Sequence, residues 1–154
     1  MHLESSIVIR RQPEQVWNFL ANVANIPKWD RGVAGIQRTT SEPMGVGSEF
    51  DTVADPAARD DAQSQGRMSY RIADVDPDQH RCTVQLTSRD GNARFFKTAA
   101  WTFRAVAAPG GTLLTCSVDF ILRLRYLILA PVLYVMKGAI HADLRRLKQA
   151  IEAE

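Results

Sequence analysis

The chain has 154 residues, 45% hydrophobic and 23% charged, a composition typical of one folded globular domain. Its net charge of +2 is too small to indicate a nucleic-acid-binding surface, and two cysteines are too few for a disulfide-stapled scaffold. The most apolar stretch, residues 127–136, is half the length of about 20 residues that a membrane span needs. No signal peptide is recognised, so we expect one cytoplasmic domain over residues 1–154.

The N-terminal segment predicts one strand followed by two short helices. Ile7, Val8 and Ile9 form a β-branched run of the kind found in strands. Pro13 is predicted to begin a helix, because proline at the first helical position loses no hydrogen bond. Asn25 is predicted to cap a second short helix.

Six further strands are predicted between residues 33 and 120, where apolar and polar side chains alternate. Strict alternation favours an antiparallel sheet with one buried face and one wet face. The inward parity falls on Phe50, Met68, Tyr70, Cys82, Val84, Leu86, Trp101, Phe103, Cys116, Val118 and Phe120. In a sequential meander one strand separates the two cysteines by about 10 Å, beyond the roughly 7 Å limit for a disulfide, so both are predicted to be free buried thiols.

The C-terminal segment changes to helical spacing. Apolar residues recur every three or four positions at Leu129, Leu133, Met136, Ile140, Leu144, Leu147 and Ile151. This pattern predicts one amphipathic helix of roughly 25 residues, from around Tyr126 to Glu152. Pro131 is predicted to kink this helix or to mark its true start, because its ring clashes with the preceding turn.

This order of elements resembles the START-like fold, also called helix-grip or SRPBCC. The residues that carry the resemblance are the segments 13–20 (PEQVWNFL), 25–30 (NIPKWD), 45–47 (GVG) with Phe50, and 143–148 (DLRRLK). The chain looks most like the short bacterial polyketide cyclase/dehydrase branch of that superfamily. The resemblance implies an α+β fold in which a curved seven-stranded antiparallel sheet wraps a long C-terminal helix, with two short helices between strands one and two. It also implies an apolar small molecule bound in a cavity between sheet and helix.

One wall of the predicted cavity is formed by the inward-facing strand residues, and the opposite wall is formed by the C-terminal helix. Tyr70 and Tyr126 could donate a hydroxyl hydrogen bond from an apolar wall, and Lys137 and His141 border the helix stripe. The full set of predicted binding residues is Trp29, Phe50, Met68, Tyr70, Val84, Leu86, Trp101, Phe103, Phe120, Tyr126, Leu129, Leu133, Met136, Lys137 and His141. A filled hydrophobic core would show the same pattern, because ligand cavities are also mostly apolar.

Catalytic motifs are absent from the sequence. No metal-ligand spacing, nucleophile elbow, P-loop or dinucleotide fingerprint occurs, so no metal, cofactor or catalytic residue is predicted. The adjacent carboxylates Asp60 and Asp61 fall in a polar stretch, and Asp119 has outward parity. The favoured function is therefore non-catalytic binding of a lipid, isoprenoid or aromatic polyketide by a monomer or homodimer.

Two alternatives stay open. A polyketide cyclase or dehydratase could use His141 with Tyr70 or Tyr126 in the same cavity. A protein-interaction or peripheral membrane module could use residues 127–136 with the basic Arg123, Arg125 and Lys137, and this requires an exposed apolar patch at 126–129.

Overall fold

The fold is given by a computed structural model that describes residues 1–41, 45–54, 68–87, 96–129, 131 and 136–154, with the backbone only at 129 and 136. The strands are β1 (His2–Ile9), β2 (Val33–Arg38), β3 (Glu49–Ala54), β4 (Met68–Asp76), β5 (Arg81–Leu86), β6 (Phe96–Ala108) and β7 (Gly111–Leu122). They form one seven-stranded antiparallel sheet in the order β1-β7-β6-β5-β4-β3-β2. Strands β2 to β7 are thus the predicted meander, and β1 extends it beside β7.

Two short helices join β1 to β2, as predicted. Helix α1 (Pro13–Ala21) has proline at its first turn, and the Gln15 side chain accepts a hydrogen bond from the Gln12 backbone N–H at 3.0 Å. The second is a 3-10 helix (Val23–Lys28). Its cap is Asn22, whose side chain accepts from Ala24 N–H at 3.1 Å, so the prediction of Asn25 as the cap is wrong. The Asn25 side chain instead donates to the Phe19 carbonyl at 3.0 Å.

The C-terminal helix α2 (Met136–Glu152) packs its later turns on the sheet. Leu144, Leu147 and Ile151 are buried, at the predicted steps of three and four. The C-terminal end of α2 is tied to the end of β1, because the Arg10 backbone N–H donates to a Glu152 carboxylate oxygen at 2.8 Å.

The segment before α2 differs from the prediction. Residues Leu124–Leu129 form a separate 3-10 helix, so Tyr126 lies outside α2. Whether Pro131 kinks the helix or marks its start stays a prediction. Residues 130 and 132–135 lie outside the described part of the chain.

Both cysteines are free and buried, as predicted. Cys82 lies on β5 and Cys116 on β7, with β6 between them. Burial raises the pKa of Cys82 to about 11 and that of Cys116 to about 12.

Cross-strand register places the inward-parity residues on one concave face. One row across the sheet is Ile72, Val84, Trp101, Val118 and Leu3, and the next is Val75, Cys82, Phe103, Cys116 and Ser5. Two packed clusters lie on this face. One joins α2 to β1, β7 and β6, and the other joins Val23 of the first 3-10 helix to Phe50 and Ile72.

Between these clusters the concave face is incompletely covered. Tyr70, Val84, Trp101 and Phe103, here called the central strip, are only half-buried. Phe120, on the same face, is 4% exposed. These residues therefore point to the same face of the sheet, but only Phe120 among them is tightly packed.

This difference predicts unequal responses to truncation. Phe120→Ala should lower the free energy of unfolding by about 3–5 kcal/mol, because it empties a packed site. Trp101→Ala should cost distinctly less, since part of the indole contacts no other protein side chain. Urea denaturation of both variants measures this, and equal losses would show that Trp101 is packed as tightly as Phe120.

Candidate functional site

The aromatic residues of the central strip belong to two groups of contacting rings. The Tyr70 ring stacks on Phe50 with centroids 5.5 Å apart and meets Trp101 edge-on at 5.7 Å. Trp29, just after the first 3-10 helix, meets Phe103 edge-on at 6.3 Å. Offset and edge-on contacts of this kind fix ring orientation while leaving ring surface available. The rings therefore form an apolar wall with a defined shape.

The predicted wall residues divide by burial. Trp29, Met68, Tyr70, Val84, Trp101 and Phe103 are half-buried, whereas Phe50, Leu86 and Phe120 are buried. Phe50 belongs to one packed cluster, and Leu86 and Phe120 belong to the other. A ligand on the concave face would therefore meet the half-buried group first.

The structure describes the side chains of only some of the predicted residues after β7. His141 is half-buried, and its Nδ1 lies 3.1 Å from the Ser5 hydroxyl oxygen on β1. Lys137 is exposed, and Tyr126 lies under the Arg125 guanidinium at 4.9 Å. Leu133 and the side chains of Leu129 and Met136 lie outside the described part of the chain. Whether any of the predicted residues binds a ligand stays a prediction.

Two half-buried carboxyl groups, Asp30 and Asp143, have perturbed pKa values. Asp30 follows Trp29 and accepts a hydrogen bond from Gly32 N–H at 2.9 Å, and Asp143 on α2 accepts one from the Arg146 guanidinium at 2.5 Å. Burial raises the pKa of Asp30, while the Gly32 hydrogen bond and the Arg146 charge oppose the rise. Burial also raises the pKa of Asp143, the Arg146 hydrogen bond opposes the rise, and the Asp30 charge adds to it. Each carboxyl therefore holds its proton more tightly than an exposed one.

The two carboxyl groups also raise the pKa values of residues on the sheet. The pKa of Tyr70 is raised chiefly by burial and further by the charge of Asp30. The pKa of Cys116 is raised first by burial and then by the charge of Asp143. The charges of Asp30 and Asp143 thus act on Tyr70 and Cys116, which both belong to the concave face. Perturbed acids beside an apolar wall are typical of functional sites.

Sequence reasoning missed this pair. It weighed only Asp60 and Asp61, which lie outside the described residues, and Asp119, which is exposed and bonded to His2. The signal available for Asp143 was its place three residues after Ile140 and four before Leu147, which is the spacing of the apolar stripe. Asp30 carries no comparable signal, because its approach to Asp143 depends on the tertiary fold.

A surface pocket of about 250 Å³ lies where the ends of β4, β5 and β6 meet. Its lining is Arg71, Gln85, Leu86, Thr87, Phe96, Lys97 and Thr98. Most of these side chains are polar, so this pocket is not the apolar site that the sequence predicts. Among the described residues, no group of three or more His, Cys, Asp or Glu could hold a metal ion, and no helix is long and apolar enough to cross a membrane.

The chain belongs to the family described as polyketide cyclase / dehydrase and lipid transport, which it matches over residues 1–152. No protein with a curated description matches it by sequence. The family membership agrees with the fold, whose curved sheet and C-terminal helix are those of the helix-grip class.

Solved structures share this fold at low sequence identity. The ZhuI aromatase/cyclase of Streptomyces sp. R1128 has a TM-score of 0.76 at 17% identity, over 99% of this chain and 93% of the other. Norcoclaurine synthase of Thalictrum flavum has a TM-score of 0.72 at 12% identity, over 98% and 86%. A major latex-like protein of Panax ginseng has a TM-score of 0.72 at 13% identity, over 97% and 95%. Another structure of the Thalictrum enzyme is a complex with dopamine and hydroxybenzaldehyde.

The raised pKa of Asp30 predicts a pH-dependent cost in stability. A raised native pKa favours folding at acid pH, and this contribution is lost as the pH rises through the native pKa. Asp30→Asn should therefore melt at a higher temperature than the wild type near pH 7, with the difference vanishing near about pH 3. Thermal denaturation across this range measures it, with the exposed Asp78→Asn as the control. A lower melting temperature for Asp30→Asn near pH 7 would contradict the argument.

Proposed function

We propose that this protein binds a hydrophobic, ring-containing small molecule between the concave face of the sheet and α2. The observation that carries the proposal is the central strip, where large apolar side chains on an inner face remain half-buried. A core optimised only for stability would cover them, because protein interiors are close-packed. Apolar pockets with a few polar groups are what small-molecule sites require.

The expected affinity is in the micromolar range. A ligand that buries about 300 Å² of apolar surface gains about 7 kcal/mol. Loss of translational and rotational freedom and ordering of side chains take back several kcal/mol. Micromolar binding is therefore what an apolar surface of this kind supports.

Polar groups beside the wall would orient the ligand. The Tyr70 hydroxyl lies 3.6 Å from the Met68 sulfur, which is a weak acceptor, so a ligand oxygen would be a better partner. Asp30 and Asp143 offer a second polar contact at the α2 side. Aromatic hydroxyl or carbonyl compounds would satisfy both, in keeping with the family description and with the aromatic molecules held by the Thalictrum enzyme.

Filling the central strip should abolish binding. Val84→Trp places an indole on the concave face beside Trp101, whereas Gln85→Trp places the same group on the opposite, exposed face of β5. Titration with the neutral fluorescent probe N-phenylnaphthylamine should give micromolar affinity for the wild type and for Gln85→Trp. Val84→Trp should bind at least tenfold more weakly.

Stability measurements keep this test decisive. Thermal denaturation shows whether Val84→Trp is folded, and Trp101→Ala offers a second variant of the strip that removes volume. If folded Val84→Trp binds the probe as tightly as Gln85→Trp does, the site lies elsewhere. If the wild type binds no probe, the concave face is a filled core and the proposal fails.

The carboxyl pair favours a second candidate function, that of a cyclase or dehydratase acting in the same place. An intramolecular aldol condensation needs a base to remove a proton from carbon and an acid to protonate a carbonyl oxygen. Asp30 and Asp143 both hold their protons more tightly than exposed carboxyls, so one could act as the acid while the other, once ionised, acts as the base. The predicted combination of His141 with Tyr70 or Tyr126 stays a second possible acid–base set.

An aryl δ-diketone tests catalysis separately from binding. Its condensation forms one carbon–carbon bond, releases one water and gives a conjugated enone that absorbs in the near ultraviolet. Asp143→Asn should keep probe affinity within about threefold yet lower the rate of enone formation about 100-fold or more. Asp119→Asn, on the outer face of β7, is the matched control. Unchanged rates in both Asp30→Asn and Asp143→Asn would show that neither carboxyl takes part in catalysis, and only the proposed binding function would remain.

A further inference from the structure

Large apolar side chains are exposed together where β7 ends. Leu124 is 84% exposed, Ile128 85%, Ile121 55% and Leu127 50%. All four lie within eight consecutive residues that include most of the second 3-10 helix. Isolated exposed apolar residues are ordinary, whereas a run of this kind on a protein surface marks an interaction site.

Basic residues occur within and shortly after this apolar run in the sequence. Arg123 and Arg125 alternate with its members and are exposed, and Lys137 is exposed at the start of α2. No acidic residue occurs between positions 120 and 142. Asp119 and Asp143, which flank this interval, are bonded to His2 and Arg146 respectively. The surface therefore presents positive charge beside exposed hydrocarbon.

The second 3-10 helix brings these two features onto one short element. In a 3-10 helix, residues three apart lie on the same side, so Leu124 and Leu127 project together. The Arg125 guanidinium lies 4.9 Å from the centre of the Tyr126 ring, which adds an amphipathic aromatic group to the same element. Leucine, isoleucine and tyrosine beside arginine is the composition of segments that lie in a membrane interface.

We propose that residues 121–128, with Lys137, form a docking surface for an anionic lipid bilayer. The apolar side chains enter the headgroup boundary, and the basic side chains contact anionic lipid.

A second copy of the chain fits this surface less well than a bilayer does. A twofold interface would bring Arg123 and Arg125 close to the same residues of the partner, whereas the centres of protein interfaces are depleted of charge.

Vesicle co-sedimentation tests the proposal with the intact protein and no added ligand, so its outcome is separate from that of the cavity. The probes are phosphatidylcholine vesicles with and without about 30% phosphatidylglycerol, the anionic component. The wild type should bind the anionic vesicles at least tenfold more tightly than the neutral ones. Raised salt should weaken that binding, because screening shortens the reach of the basic side chains.

The double variant Leu124→Asp with Ile128→Asp should lose at least tenfold in affinity for anionic vesicles. Both side chains are almost fully exposed, so the melting temperature should stay that of the wild type. The control is Val46→Asp, which also changes an exposed apolar residue, 66% exposed, in the turn before β3 at the opposite end of the sheet. It should bind like the wild type.

Three results would overturn the proposal. The double variant could bind anionic vesicles as tightly as Val46→Asp, or the wild type could bind neutral and anionic vesicles equally. Analytical ultracentrifugation could also show a wild-type dimer that the double variant converts to monomer, in which case the surface is covered by a second copy of the chain.

Discussion

One helix is too narrow to cover a seven-stranded sheet, and this mismatch of widths governs the rest of the structure. An α-helix with its side chains is about 10 Å across, whereas seven strands at about 4.8 Å each span close to 30 Å. The described part of α2 packs on the cluster that includes β1, β7 and β6, through Leu144, Leu147 and Ile151. The short helices between β1 and β2 close another part, through Val23 on Phe50 and Ile72. Curvature of the sheet brings the two clusters together without merging them.

The central strip is the consequence of that mismatch. Tyr70 contacts both clusters, and Trp101 and Phe103 continue the wall between them with part of their surface uncovered. The same geometry brings Asp30, from the first 3-10 region, toward Asp143 on α2. Two half-buried carboxyls cost stability when ionised, which Arg146 and the Gly32 N–H only partly offset. A site that retains this cost has the character of a functional rather than a structural arrangement.

Periodicity was sufficient to predict most of the architecture. Alternation placed Trp101, Val118 and Phe120 on one face, and helical spacing placed Leu144 and Leu147 toward the sheet. Neither pattern contains the distance between helix and sheet, so the packed Phe120 could not be told from the half-buried Trp101. The separate 3-10 helix Leu124–Leu129 was not predicted, because the helical spacing of apolar residues already begins at Leu129. Asp30 and Asp143 are far apart in the chain, and only the folded sheet and helices bring them together.

The most direct test of the central claim uses the three tryptophans as internal reporters. Trp29 and Trp101 belong to the wall, whereas the Trp17 ring lies against His80 in the β4–β5 turn, 6.0 Å away. A proton–nitrogen correlation spectrum resolves the indole N–H resonances, which mutation of each tryptophan assigns. Titration with N-phenylnaphthylamine should shift the Trp29 and Trp101 resonances with one common affinity and leave that of Trp17 in place. A shift confined to Trp17, or no shift of Trp101 at probe saturation, would contradict a ligand site on the concave face.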